Sequence, residues 1–221
     1  MNIILVGMNH ITAPLEFRER LSIACGEGTF PLSEIMKTGL IKEALYLSTC
    51  NRVEVIAGAD EDMKATEELK SFVFNHGNLT RDEMSSCLYV YKGRDAVRHL
   101  FRVASSLDSL VIGEPQILGQ VKEAYRKAVD NKTTGIIMNR ILHHAFQVAK
   151  RISTETGIAA NAVSVSFAAV ELAKKIFSSL KGKTILLIGA GEMSELAARH
   201  LIANGVERLL VANRTYERAL E

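Results

Sequence analysis

The stretch Thr184-Ile-Leu-Leu-Ile-Gly-Ala-Gly-Glu-Met-Ser194 decides the fold class. Thr184 to Ile188 reads as a buried strand, Gly189-Ala190-Gly191 as a tight turn, and Glu192 to Ala203 as a helix, with Gly205 as its stop signal. Gly189 permits the turn. Gly191 leaves room for backbone to approach a pyrophosphate, which the positive end of the helix attracts. The third position of the fingerprint holds Ser194 rather than Gly or Ala. Arg208 to Ala212 supplies a second strand, so the segment predicts a Rossmann-type unit; the alternative is a doubly wound unit without a cofactor. Where NAD-type units carry Asp or Glu at the end of the second strand, this chain has Asn213-Arg214-Thr215. Arg214 offers charge-assisted hydrogen bonds to a 2′-phosphate, which favours NADP(H); a solvated surface arginine is the other reading.

Working backwards, Gly157-Ile-Ala-Ala-Asn-Ala-Val-Ser164 is rich in small residues and marks a domain boundary near residue 160. Val165, Ala169, Leu172 and Ile176 form one helical face beyond it. Between Gly93 and residue 157 the apolar period is that of helices. Asp95 can cap the first, which carries Val97, Leu100, Phe101 and Ala104. Pro115 suits the first turn of the second, with Leu118, Val121, Tyr125 and Val129. Ile137, Ile141, Ala145, Val148 and Ile152 form the stripe of the third. In the first 93 residues strands are expected at 2–6, 44–47, 53–57 and 87–91, with helical stretches between them. The order βαββαβ suggests a ferredoxin-like unit. The expected architecture is therefore α/β: a catalytic domain over 1–160, made of a βαββαβ unit (1–93) and a helical part (94–160), followed by a partial Rossmann-type domain over 161–221.

Composition sets the outer limits. The 221 residues are 48% hydrophobic and 24% charged with 3 Pro and 15 Gly, an ordinary globular balance that excludes disordered and collagen-like classes. No apolar run is long enough to span a membrane. The opening Met1-Asn-Ile-Ile-Leu-Val6 lacks a basic n-region and reads as a strand rather than a signal peptide. A net charge of +2 does not by itself announce a nucleic-acid binder. Cys25, Cys50 and Cys87 are an odd number without Cys-x-x-Cys spacing, which fits a reducing cytoplasm, suggests no disulfide framework and offers no metal site.

Cys50 sits in Ser48-Thr-Cys-Asn-Arg52 between two strands. A free thiol with a pKa of about 8.5 is only about 3% thiolate at pH 7, and a guanidinium two residues away would stabilise the anion. Cys50 is thus a candidate nucleophile on a loop, or else a small residue ending a strand. Cys25 and Cys87 fit the second description better.

Several strings together resemble one family, the glutamyl-tRNA reductases. They are Gly7-Met-Asn-His10 with Thr12-Ala-Pro14 and Arg18-Glu-Arg20; Ser48-Thr-Cys-Asn-Arg-Val-Glu54; His99-Leu-Phe-Arg-Val-Ala104; Leu107-Asp-Ser109; Gly113-Glu-Pro-Gln-Ile-Leu-Gly-Gln-Val-Lys122; and Gly189-Ala-Gly-Glu-Met193 with Asn213-Arg-Thr215. The resemblance runs from residue 1 to about 219. It implies reduction of the glutamate esterified to tRNA(Glu) to glutamate-1-semialdehyde, the first step of the C5 route to tetrapyrroles. In that reaction the Cys50 thiolate forms a thioester and NADPH delivers hydride to it.

The resemblance also implies site residues. Arg52 would hold the substrate carboxylate or lower the Cys50 pKa. Thr49, Ser109, Glu114 and Gln120 would line the glutamate pocket. His99 would transfer a proton or merely hydrogen-bond in the core, and His10 is a weaker pocket candidate. Gly189, Ala190, Gly191, Glu192, Met193, Asn213, Arg214 and Thr215 would hold NADPH. Glutamyl-tRNA(Glu), a second copy of the full-length protein and the aminomutase that takes the semialdehyde are the implied partners. The scattered basic residues of the helices show no nucleic-acid platform, so tRNA rests on the resemblance alone. Family members continue into a fuller dinucleotide fold and a helical dimerisation domain. The expectation is therefore a whole thiol site and an incomplete hydride site. As a fragment, the chain would form or hydrolyse the thioester only, or serve as a tRNA- or partner-binding module.

Overall fold

The computed structural model describes residues 1–24, 32–77, 80–158 and 165–220. Cys25 and most of the small-residue segment before residue 165 lie outside them. The chain divides into two units, Met1–Asn161 and Ala162–Glu221.

In the first unit the elements are β1 (Asn2–Asn9), α1 (Leu15–Ala24), α2 (Leu32–Lys37), β2 (Ile41–Ser48), β3 (Arg52–Ala59), α3 (Asp62–Gly77), α4 (Arg81–Cys87), β4 (Tyr89–Lys92), α5 (Gly93–Ala104), α6 (Gln116–Asp130) and α7 (Ile136–Glu155). The four strands make an antiparallel sheet in the order β2-β3-β1-β4, the order of a ferredoxin-like unit. Both faces are covered. Ile4, Val6, Met8, Val53, Val55 and Ala57 pack against α1, α2 and α3. Ile3, Leu5, Leu45, Leu47 and Ile56 pack against α5, α6 and α7. A two-sided core explains why β1 and β3 are nearly continuous apolar runs rather than alternating ones.

Three local readings change. First, α4 was not expected, and Cys87 ends it instead of opening a strand. The signal is a capping box: the Thr80 hydroxyl accepts from Glu83 N (3.3 Å), while the Glu83 carboxylate accepts from Thr80 N (2.7 Å). Those bonds hold the Glu83 carboxyl below its usual value. Second, α5 begins at Gly93 with positive φ, and Asp95 lies within the first turn, paired with Arg98, instead of capping the helix. Third, the buried stripes of α6 and α7 are Ile117, Val121, Ala124 and Ala128, and Met138, Leu142, Ala145 and Ala149. Each shares one residue with the stripe of bulkier side chains (Val121, Ala145) and is displaced from it by one position at the other three, a partial rotation of the buried face. The small alanines let the helices lie close to the sheet and to each other, and Val129 and Ile137 are left at the surface.

A buried acid ties the helical layer to the sheet. Glu43 on β2 is 8% exposed, and its carboxylate accepts from the first-turn amides of α7, Ile137 N (3.3 Å) and Met138 N (2.6 Å). An anion suits a helix N-terminus, whose amides otherwise lack partners. The Thr133 hydroxyl donates to Ala44 O (2.9 Å) beside it. Replacing Glu43 by Ala should lower unfolding free energy by about 1–2 kcal/mol, measured by urea denaturation of the chain. A loss well below that would mean that water serves those amides equally well.

The second unit contains α8 (Val165–Phe177), β5 (Thr184–Ile188), α9 (Glu192–Ala203), β6 (Arg208–Ala212) and α10 (Tyr216–Leu220), with β5 and β6 paired in parallel. Val170, Leu180 and Leu201 centre a small core with Ile185, Leu187 and Leu209. The strand read as buried is half-buried on one face and exposed on the other. Leu186 and Ile188 point away from that core and are exposed, as are Leu210 and Val211 of β6.

Candidate active site around Cys50

The thiol sits at the tip of the β2–β3 hairpin, where loop chemistry is local. Thr49 N donates to Arg52 O (2.8 Å), and the Thr49 hydroxyl accepts from Asn51 N (3.2 Å) and Arg52 N (3.1 Å). These bonds make a compact turn, so Thr49 shapes the loop from within. Two outside contacts hold the turn: His10 N donates to Asn51 O (2.8 Å), and the Arg18 guanidinium donates to the Cys50 carbonyl. The Cys50 side chain is exposed, whereas Cys87 is buried; both are free thiols.

Arg52 is 1% exposed. One terminal nitrogen donates to Glu54 Oε1 (2.8 Å) and the other to Asp108 O (2.6 Å), in the loop after α5. Glu54 is fully buried, and the same Oε1 also accepts from the Tyr89 hydroxyl (2.6 Å) and lies 2.8 Å from His99 Nε2. Burial opposes ionisation of Glu54, but the His99 hydrogen bond, the Arg52 charge and the Tyr89 hydroxyl prevail and hold its carboxyl below the usual value. With Glu54 anionic, Nε2 is the nitrogen of His99 that carries a proton. Its other nitrogen, Nδ1, stands 3.6 Å from Asp108 Oδ2, while Arg102 holds the Asp108 carboxylate through Nε (3.1 Å) and Nη2 (2.6 Å). Tyr91 stacks on the His99 ring at 4.8 Å. Burial and then the Glu54 charge push the Tyr89 hydroxyl far above its ordinary pKa, so it stays a donor.

The strand register explains how Tyr89 reaches Glu54. Gly7 of β1 lies opposite Glu54 on one side and opposite Tyr89 on the other. β3 and β4 are therefore about 10 Å apart, two interstrand spacings, with Gly7 between them. A Cβ at Gly7 would fall 2.7 Å from Glu54 Cγ and 2.8 Å from Val53 O. Only glycine leaves the path clear. Glu54, Tyr89, Asp108 and Arg18 were not singled out as site residues from the sequence. The available signal was Arg52-Val-Glu54 itself: two charged residues two apart on one face of an otherwise apolar strand.

Other expected residues fall around this cluster unevenly. Ser109 follows Asp108 directly, and its hydroxyl oxygen is buried without a partner. His10 Nδ1 and Arg18 Nε are buried without partners too. Burial, then the charges of Arg52 and Arg18, push the His10 imidazole below its ordinary pKa, opposed first by the Asn51 backbone and then by Glu114. Glu114 and His10 are thus electrostatic neighbours. Gln120 is half-buried on α6, with no side-chain hydrogen bond among the described residues. Among those residues, no group of three or more His, Cys, Asp or Glu is placed to hold a metal ion.

In the second unit, Gly189 has φ +101° and a Cβ added at Gly189 or Gly191 would meet nothing within 4 Å. Gly191 is the N-cap of α9 with no side-chain cap. Asn213 bridges the two strand ends: its Oδ1 accepts from Ala190 N (3.2 Å) and its Nδ2 donates to Thr215 O (2.7 Å). Met193 O accepts from the Ser166 hydroxyl (2.8 Å). Arg214 enters none of the ion pairs found among the described residues. An open glycine turn under an uncapped helix start fits a pyrophosphate, and a free arginine beside it fits a further phosphate. The Glu192 side chain lies outside the described atoms.

An exposed thiol on a braced hairpin, with a Gly-x-Gly βαβ unit on the same chain, defines a class: two-unit proteins that combine a thiol site with a dinucleotide-type unit. Comparison with known proteins narrows it. Residues 6–156 match the family model of the glutamyl-tRNA(Glu) reductase N-terminal domain, and residues 171–221 match that of shikimate/quinate 5-dehydrogenase. A glutamyl-tRNA reductase of Syntrophus aciditrophicus is 63% identical over 223 residues, covering 100% of this chain and 53% of the relative. One from Citrifermentans bemidjiense is 54% identical over 219 residues, covering 99% and 50%. The solved structure of glutamyl-tRNA reductase from Methanopyrus kandleri matches with a TM-score of 0.67 at 39% identity, covering 99% of this chain and 51% of that one. The chain belongs to the glutamyl-tRNA reductase family, and it spans about half the length of the curated relatives it matches.

Gly7→Ala should destabilise the chain by about 1–3 kcal/mol through overpacking, read by urea unfolding. A stability equal to the native value would show that β1 and Glu54 separate freely, against the tight crossing described above.

Proposed function

We propose that this chain carries the thiol chemistry of the NADPH-dependent reduction of glutamyl-tRNA(Glu) to glutamate-1-semialdehyde. The carrying observation is the accessible Cys50 on a turn held by His10 N and the Arg18 guanidinium, residues whose Nδ1 and Nε are buried without partners, with the unpartnered Ser109 Oγ next to the Arg52-bound Asp108. Such atoms are costly to leave unpaired, so a polar ligand that pairs them gains affinity and orientation. The α-amino and carboxylate groups of a glutamyl ester have the matching chemistry.

The Cys50 thiolate attacks the ester carbonyl carbon. The new carbon–sulfur bond replaces the carbon–oxygen bond to the tRNA ribose, whose oxygen takes up a proton and leaves. The Cys50 carbonyl, tied to Arg18, keeps the turn from recoiling during attack. Arg52 and His99 keep their places through Glu54, and Arg52 in turn closes the Cys50 turn through its backbone. Gly189, Ala190, Gly191 and Asn213 would hold the NADPH pyrophosphate and Arg214 its 2′-phosphate; when bound, NADPH supplies a hydride for the acyl carbon.

The reading extends to the setting. Free Cys50 and Cys87 suit a reducing cytoplasm, and no helix among the described residues is long and apolar enough to cross a membrane. Domains over 1–160 and 161–221, a homodimeric full-length protein and transfer of the aldehyde to an aminomutase belong to the same proposal and rest on the family.

Incubation of the chain with glutamyl-tRNA(Glu) in the absence of NADPH should produce a glutamyl adduct mapped by peptide mass to Cys50, and Cys50→Ser should give none. Equal labelling of the two proteins, or labelling at another residue, would overturn the assignment.

A further inference from the structure

We propose that Glu54 is a positioning residue of the thiol site, acting through Arg52 and His99, and that Gly7 and Tyr89 exist to hold it there. This rests on the thioester reading above. One oxygen, Glu54 Oε1, takes donors from three separate elements: Arg52 on its own strand, Tyr89 on β4 and His99 on α5. Arg52 closes the Cys50 turn through its backbone, with Thr49 N on its carbonyl and its own N on the Thr49 hydroxyl. Fixing the Arg52 side chain therefore fixes the root of the nucleophile loop. The Asp108 carbonyl on the other guanidinium nitrogen sets the orientation of the fork and joins it to the loop that carries Ser109. His99 is aimed by the same oxygen, which selects the Nε2–H tautomer and leaves Nδ1 toward Asp108.

The second oxygen of Glu54 has no partner and is buried. This asymmetry makes Glu54→Gln informative. The amide oxygen can replace Oε1 as acceptor, and the amide nitrogen then occupies the empty side, where it displaces no donor. Shape survives and the negative charge is lost. A residue that only fills space tolerates that exchange. A residue that holds two cationic or donor groups in place does not, because charge-assisted bonds are the stronger ones.

The test compares the native chain, Glu54→Gln and Tyr89→Phe by thermal melting, by alkylation of Cys50 with iodoacetamide, and by the single-turnover rate of glutamyl transfer from glutamyl-tRNA(Glu) to Cys50. Glu54→Gln should transfer about 10²-fold more slowly, the order expected for a misplaced catalytic arrangement. Its alkylation rate should stay within about 3-fold of native, because the thiol itself stays exposed. Tyr89→Phe, which removes one neutral donor from the same oxygen, should slow transfer by about 5-fold with alkylation unchanged. A folded Glu54→Gln that transfers at the native rate overturns the proposal. So does a parallel fall of transfer and alkylation, which marks general disruption. Should Glu54→Gln not fold, Tyr89→Phe decides, and native transfer in that variant overturns the proposal. A native chain that is alkylated at Cys50 yet accepts no glutamyl group refutes the thioester reading itself, and the positioning role with it.

Discussion

A carboxylate with no exposure to water is the constraint around which the first unit is arranged. Taking such a charge out of solvent costs several kcal/mol, and Glu54 is retained only because three donors converge on one of its oxygens. Convergence demands a place for each donor. Arg52 must lie two residues away on the same face of β3. Tyr89 must look across β1, so β1 must lack a side chain at that crossing, and Gly7 is there. His99 must face the sheet from α5, among the buried Ala96, Leu100 and Val103. Even the order β2-β3-β1-β4 serves the arrangement, since it separates Glu54 from Tyr89 by a single strand.

The nucleophile loop inherits its rigidity from this cluster. The β2–β3 hairpin could close in many ways, but Arg52 is both the first residue of β3 after the turn and the partner of a buried acid. The tip, carrying Cys50, stays exposed while its root is fixed in the core. Glu43 does comparable work at the opposite end of β2, where a second buried carboxylate anchors the start of α7. The two acids pin the helical layer to the sheet from different sides. The core of the second unit is smaller, and its two strands leave Leu186, Ile188 and Leu210 uncovered.

Features carried by neighbouring residues were legible in the sequence. The strand at 184–188, the glycine turn and the helix from Glu192 follow from local chemistry, as do the hairpin around Cys50 and the three helices after Gly93. Features that need distant segments were not. Nothing near Glu54 in sequence shows that Tyr89 and His99 share its oxygen, because these contacts span 35 and 45 residues. Gly7 resembled part of a motif, and its reason emerged only from the register with Glu54 and Tyr89. The rotated stripes of α6 and α7 have a similar cause: large side chains dominate a periodicity reading, whereas the tight packing here selects alanines. The capping box at Thr80 and Glu83 is local, but the aromatic run after it pulls a sequence reading of the segment toward a strand.

An ionised Glu54 holds His99 and Arg52 in one arrangement. Nitrogen-15 NMR of the histidine rings in the intact chain tests it directly. At neutral pH, His99 should show a protonated Nε2 with the shift of a strong hydrogen bond to a carboxylate, and Glu54→Gln should weaken that signature. A bare Nε2 with the proton on Nδ1, unchanged by Glu54→Gln, would contradict the account.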